Sequence, residues 1–195
     1  RLSPSQVNYR ANIDVLKRAG CTDVLSLSAV GSLREDLPPG TFVVVDQFVD
    51  RTFARAKSFF GPGLVAHVSM ADPVCARLSR LTAQAAREAG APVAEGGTYL
   101  AMEGPQFSTR AESELYRQWG CHVIGMTNMP EAKLAREAEL PYVSVGMVTD
   151  YDCWRADTAA VEVTNVLEVL QANAAKARET VARLAVLLPP VREPS

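Results

Sequence analysis

Long apolar runs are missing from this chain: no stretch approaches the roughly 20 residues that a membrane span requires, and residues 1–20 show no signal-peptide pattern. A membrane is not an expected partner, and a cytoplasmic location is expected. A basic surplus is missing too. With Lys+Arg at 20, Asp+Glu at 22 and no Lys/Arg run, a net charge of −2 offers nothing to steer toward a phosphate backbone, so nucleic acid is not an expected partner. Metal ligands are scarce. Cys21, Cys75, Cys121 and Cys153 lie far apart without C-x-x-C spacing, and only His67 and His122 supply imidazoles. Neither a zinc site nor a disulfide framework is expected, and the thiols read as reduced and structural. There is no G-x-G-x-x-G, Walker loop, G-x-S-x-G or H-E-x-x-H, so dinucleotide, nucleoside-triphosphate and zinc-protease readings lose their usual supports.

What is present is 195 residues with 48% hydrophobic content, enough to bury the core of one domain. Helical and strand patterns alternate, predicting an α/β fold with a mixed, twisted sheet flanked by helices. Ser3-Pro4 reads as the start of a first helix ending at Gly20. Apolar runs at 24–28 and 42–45 read as strands, and a Phe/Gly/Pro-rich loop covers about 51–66. Residues 74–89 read as a helix, 99–102 as a strand, and Thr109 as the cap of a helix over 111–119. A short strand at 123–126, a helix opened by Asn128 and Pro130, a strand at 141–149 and a long helix over 158–188 complete the pattern. The residues rich in chemistry fall at strand ends, where α/β proteins place their sites.

Asp150 and Asp152 follow the 141–149 strand at i, i+2 spacing, which in extended backbone sends both carboxylates to one face. Such a pair can read the polar edge of a base. An isolated D-x-D is also the composition of a solvated Asx turn.

Four longer motifs carry more information: Ala-Val-Gly-Ser-Leu-Arg-Glu (29–35), Glu-Gly-Pro-Gln-Phe-Ser-Thr-Arg-Ala-Glu (103–112), Met-Thr-Asn-Met-Pro-Glu (126–131) and Thr-Asp-Tyr-Asp-Cys-Trp (149–154). In this order they resemble the trimeric purine nucleoside phosphorylase family, in particular its branch acting on 5′-methylthioadenosine. The likeness runs from about Val7 to Thr180. It implies phosphorolysis, in which phosphate displaces a purine from C1′ of a ribose. No cofactor and no metal are implied, phosphate being a co-substrate and a nucleoside the other small-molecule partner.

The resemblance assigns roles residue by residue. Asp150 would donate to N7 of the departing base and Asp152 would accept from its 6-amino group. Two acids this close in a partly dry pocket resist ionising together, which raises the pKa of one. The 6-oxopurine branch has Asn where this chain has Asp150 and Glu where it has Ser108, so an adenine-type base is implied. Phe107 would wall the base, Ser108 touch its rim, and Met126 line the ribose. Ser28, Ala29 and Thr127 would meet phosphate, with Ser28 standing where close relatives carry Thr. Val163, Val166 and Leu167 would form an apolar wall for a 5′-methylthio group; the position of Val163 is a His in the 6-oxopurine branch. His67 matches a residue that reaches a neighbouring subunit's site, implying a homotrimer. From spacing alone, Met126 and the Val163/Val166/Leu167 stripe read as plain core, and His67 as a surface loop residue.

The family's opening strand, its Gly-rich phosphate loop and an Arg-His pair for phosphate find no counterpart in these residues. The chain therefore reads as one nucleoside phosphorylase-like domain over 1–195 that lacks its N-terminal strand and phosphate loop.

Overall fold

The computed structural model describes residues 2–155, 163–189 and 191. Its centre is a pair of long parallel strands, β1 (Val24–Ser32) and β7 (Tyr142–Tyr151), matched from Val24 opposite Tyr142 to Val30 opposite Val148. Five shorter strands extend this pair: β2 (Phe42–Val45), β3 (Gln47–Asp50), β4 (Val93–Glu95), β5 (Thr98–Ala101) and β6 (Val123–Gly125). The sheet order is β3-β5-β6-β1-β7-β2-β4. The β1–β6 and β2–β7 pairs are antiparallel and the rest parallel, the mixed sheet expected from the sequence.

Both faces of β7 are covered, which is why it reads as a nearly unbroken apolar run. Tyr142 and Val148 join the core beneath α1 (Tyr9–Arg18) and α4 (Asn128–Glu137). Val143, Val145 and Met147 join the opposite core, with α2 (Ala76–Glu88) and α5 (Val163–Leu187). A third cluster packs Tyr116 of α3 (Arg110–Gln118) with Leu33, Leu100, Cys121, Ile124 and Trp154. Each fully buried Val or Leu contributes about 1.5–3 kcal/mol relative to exposure. All four cysteines are free thiols. Among the described residues, no helix is long and apolar enough to cross a membrane.

Several boundaries depart from the sequence reading. Ser3 precedes only a 3-10 turn, Pro4–Gln6, after which Val7 is extended (φ −63°, ψ 131°). The helix starts instead at Asn8, whose side chain accepts from the Ala11 N–H, a stronger capping arrangement than Ser3 provides. Thr109 caps α3 as expected, its hydroxyl and the Glu112 carboxylate forming a reciprocal capping box. In α4, Met129 is extended (φ −121°, ψ 131°) because Pro130 disfavours the helical region for the residue before it. The short strands β3 and β4 are absent from the sequence reading; four and three residues give too little periodicity to register. The long helix was expected from residue 158; residues 158–162 lie outside the described residues, and α5 runs from Val163.

Candidate active site

A cavity of about 420 Å³ lies along β1, lined by residues 26–31, 124–127 and 149–150 with Met102, Phe107, Glu131 and Asp152. The volume is within the range of small-molecule pockets. β5 and β6 run parallel to each other but opposite to β1 and β7. The strand ends therefore meet over the face of the sheet from two directions, and not along one common carboxyl edge. A larger hollow of about 730 Å³ near Pro141 contains none of the site residues predicted from the sequence.

Local backbone geometry aims the acids. Between Val30 and Gly31 the β1–β7 register shifts by one residue, so Val148 pairs with Val30 but Asp150 pairs with Gly31. Strict alternation would place Asp150 on the face of Val148, toward α1 and α4. The bulge turns it to the face of Gly31, beside Ile124. Glycine is needed there for close approach: a Cβ would stand 3.3 Å from Asp150 Oδ2, 3.5 Å from Asp152 Cβ and 3.2 Å from Ile124 Cγ2. The Asp152 N–H donates to Ser32 O at 3.0 Å, and Trp154 Nε1 donates to the same carbonyl at 2.9 Å, which fastens the 150–154 segment to the end of β1.

Asp150 is short of donors, and one oxygen of Asp152 is left open. Burial, with the Asp152 charge adding to it, raises Asp150 to about 6 despite the opposing Thr149 hydroxyl. That hydroxyl stands 2.7 Å from Asp150 Oδ1 and 3.2 Å from Val30 O, so its single proton serves one of them at a time. Asp152 is 4% exposed, and its Oδ2 has no hydrogen-bond partner among the described residues. Burial raises Asp152 as well, opposed by the Ser113 hydroxyl, the Cys153 N–H and the Ser108 hydroxyl, of which the Ser113 hydroxyl is off bonding geometry. A buried acceptor left open costs about 1–3 kcal/mol unless something donates to it. The solvated Asx turn is thereby set aside.

The opposite end of the cavity is built from hydroxyls. Ser28 Oγ lies 3.3 Å from Asn128 Oδ1, while Asn128 Nδ2 reaches Tyr142 Oη (2.6 Å), Ser144 Oγ (2.8 Å) and Ser26 Oγ (3.3 Å). Tyr142 in turn donates to Glu131 at 2.8 Å, and burial with that carboxylate holds its phenol well above the usual range. Tyr99, fully buried and raised by burial, lies beneath Ser28 and Thr127. Among the described residues, no Lys, Arg or His lines the cavity.

Of the residues predicted from sequence, the fold brings Ser28, Ala29, Phe107, Met126, Thr127, Asp150 and Asp152 to this one cavity. Ser108 stands behind the lining, its hydroxyl 3.9 Å from Met102 Sδ and its carbonyl 3.2 Å from Cys153 Sγ. His67 is an exposed loop residue away from the lining, and Leu167 on α5 is 48% exposed and also away from it. The side chains of Val163 and Val166 lie outside the described residues. Sequence reasoning missed Gly31, Glu131, Asn128 and Arg55. Gly31 and Glu131 lie inside quoted motifs, where a Gly at a strand end and an acid after Pro were available signals. Arg55 sits in the loop read only as a Gly/Pro-rich connection, with nothing local to mark it.

Comparison with known proteins places this geometry. S-methyl-5′-thioadenosine phosphorylase of Rhodospirillum rubrum is 69% identical over 180 residues, covering 92% of this chain and 61% of that protein. The enzyme of the same name from Bradyrhizobium diazoefficiens is 64% identical over 194 residues, covering 100% and 67%. The chain thus spans about three-fifths to two-thirds of the length of these relatives. Among solved structures, a methylthioadenosine phosphorylase from an antarctic soil metagenomic library superposes with a TM-score of 0.91 at 47% identity, covering 96% of this chain and 66% of that one. Methylthioadenosine phosphorylase from Schistosoma mansoni in complex with adenine gives a TM-score of 0.93 at 38% identity, covering 97% and 74%. The sheet and helices are therefore those of the nucleoside phosphorylase fold. The family model of the phosphorylase superfamily matches residues 2–186, nearly the whole chain, and to that superfamily the chain belongs.

Proposed function

We propose that this chain carries the nucleoside-binding part of a 5′-methylthioadenosine phosphorylase, which releases adenine and 5-methylthioribose 1-phosphate. The observation that carries the reading is the open, buried Oδ2 of Asp152 beside an Asp150 held near 6. Adenine offers the complement: an exocyclic amine that donates to Asp152 and an N7 that accepts from protonated Asp150. A 6-oxo purine would turn an acceptor toward Asp152 and lose that match. In the reaction a phosphate oxygen forms a bond to C1′ as the C1′–N9 bond breaks. The bonding pair departs with the purine, and the Asp150 proton passes to N7, leaving a carboxylate. General-acid help of this kind contributes about 10²–10⁴ in rate.

Ser28, Thr127 and the Ala29 N–H are the groups assigned to phosphate, with Met126 against the ribose and Phe107 against the base. Ser108 supports the base side from behind Met102. Val163, Val166 and Leu167 are assigned to the methylthio wall, and His67 to the site of a neighbouring subunit in a homotrimer. The work would be purine and methionine salvage in the cytoplasm, without metal or organic cofactor.

A second reading rests on one observation: among the described residues, the cavity lining holds no cation to meet a phosphate dianion. On that reading the described residues bind a nucleoside without turning it over. Adenine release from methylthioadenosine, followed chromatographically with and without phosphate, separates the two. Strictly phosphate-dependent release supports the phosphorylase. Tight adenine binding without release supports the second reading, and release without phosphate would make the protein a hydrolase.

A further inference from the structure

Arg55 belongs to no motif and lines no part of the cavity, yet its side chain is only 1% exposed and sits at the junction of the segments that build the site. Nη1 donates to the carbonyls of Met126 and Met129, each at 2.6 Å, with the Tyr9 hydroxyl at 3.2 Å. Nη2 meets the carbonyls of Glu103 at 2.7 Å and Met102 at 3.3 Å. Nε faces Ser5 Oγ at 3.4 Å and the Glu103 carboxylate at 3.8 Å. Ser5 in turn donates to Glu103, whose other carboxylate oxygen accepts the Phe53 N–H at 2.8 Å.

The guanidinium therefore gathers main-chain carbonyls from the segment after β5, the segment after β6 and the start of α4. Five fixed N–H donors on one rigid plane can do this; an ammonium with three cannot. The hydrogen bonds are charge-assisted and shielded from water, which makes them the strong kind. Because a trans peptide points its C=O and N–H in opposite directions, holding the Met126 carbonyl on Arg55 turns the Thr127 N–H away from Arg55, toward Tyr99 beneath Ser28. Met102 and Met126, both cavity-lining, are held by the same group.

We infer that Arg55 is the positioning residue of the site: its buried guanidinium locks the loop after β5 to the loop after β6 and so sets the distance between the base wall and the ribose and phosphate side. It acts through backbone and touches no substrate. The inference rests on the proposed adenine pocket only for its binding readout; the locking itself is read separately.

The test uses Arg55→Lys and Arg55→Ala, with adenine affinity measured by calorimetry and amide hydrogen exchange followed along the chain. Both variants are expected to keep the parent's far-UV spectrum and to bind adenine at least about tenfold more weakly, the equivalent of one charge-assisted hydrogen bond. Exchange should quicken at 102–107 and 126–130 while β1 and β7 stay protected. Millimolar guanidinium should restore a large part of adenine binding to Arg55→Ala, which a general loss of stability would not permit. Affinities within twofold of the parent, or unchanged exchange in both loops, overturn the inference. So does loss of protection spread evenly over the molecule, or failure of both variants to fold, since Arg55 would then serve overall stability. Should the parent itself not bind adenine, the pocket assignment fails while the exchange data still decide the role of Arg55.

Discussion

Asp50 and Asp150 both stand at or near the end of a strand and both are substantially buried, yet they are driven in opposite directions. At the end of β3, burial would raise Asp50. Lys133, Thr52 and Lys57 overcome it and bring the carboxyl down to about 2. Lys57 Nζ lies 3.0 Å and Lys133 Nζ 2.5 Å from Oδ2, and the Thr52 N–H and hydroxyl reach Oδ1. At the end of β7, Asp150 has one hydroxyl and a second carboxylate for company, and burial prevails. Burial alone thus does not decide what an acid does; the supply of donors does. A carboxylate saturated with donors is locked as a charge and fixes structure. One starved of them keeps a proton available near neutrality and is suited to chemistry.

The strongest way to break this contrast is to remove the proton from the starved acid. Asp150→Asn keeps the shape but cannot transfer a proton, and adenine release from methylthioadenosine should fall by about 10²–10⁴ in kcat. The amide can still donate to N7, so adenine binding should change far less than turnover. Discrimination against inosine-type substrates should relax. Unchanged kcat and unchanged preference would remove Asp150 from the mechanism. The matching change, Asp50→Asn, should leave kcat nearly intact and lower stability by about 1–3 kcal/mol in urea titration, because Lys57 and Lys133 lose their shared partner while remaining partly solvated.

The pH dependence sharpens the same contrast because the two signs are opposite. Asp50, depressed from 3.8 to about 2, contributes stability that is present above about pH 4 and is lost as pH falls toward 2. Asp150, raised from 3.8 to about 6, contributes stability that is present below about pH 4 and is lost as pH rises through 6. Melting temperatures recorded from pH 2 to 8 should show Asp50→Asn flattening the acidic limb and Asp150→Asn flattening the segment between about 4 and 6. Activity that needs protonated Asp150 should decline above pH 6. A decline that survives in Asp150→Asn would assign it to another group.

What the sequence disclosed, and what it withheld, follows the same division. Strands buried on both faces, such as 142–148, announce themselves by composition, and the Thr109/Glu112 capping box by two residues at fixed spacing. The acids, Phe107 and the Met126-Thr127 pair stand within quoted motifs and Ser28 immediately before one, and the fold brings them to one cavity. Donor supply is different, since it depends on residues distant along the chain. Asp50 meets Lys133 across 83 positions and Arg55 meets Met126 across 71, and no local pattern encodes either encounter. The bulge at Thr149 was equally hidden: i, i+2 spacing correctly grouped the acids but could not say which face they would take.

That bulge yields the mildest test. Gly31 is the residue opposite Asp150 in the β1–β7 register, and its bare Cα leaves the Asp150 carboxylate room to lie against β1. In Gly31→Ala the new methyl would sit 3.2 Å from Ile124 Cγ2 and 3.3 Å from Asp150 Oδ2, so one of them must retreat by a few tenths of an ångström. Ile124 and Asp150 both border the cavity, but Ile124 is also packed against Leu100 and Trp154, whereas the Asp150 carboxylate is tethered by the Thr149 hydroxyl, so the carboxylate is the group that yields. Its displacement should weaken adenine binding by about fivefold, the equivalent of about 1 kcal/mol of overpacking, and leave the melting temperature close to the parent's. Asp50 lies at the end of β3, with Lys57 in the loop that follows and Lys133 on α4, and its carboxyl should titrate as before. If the methyl instead lowers the melting temperature and spares adenine binding, the Ile124 cluster has yielded, and the room beside Gly31 serves packing instead of the acid.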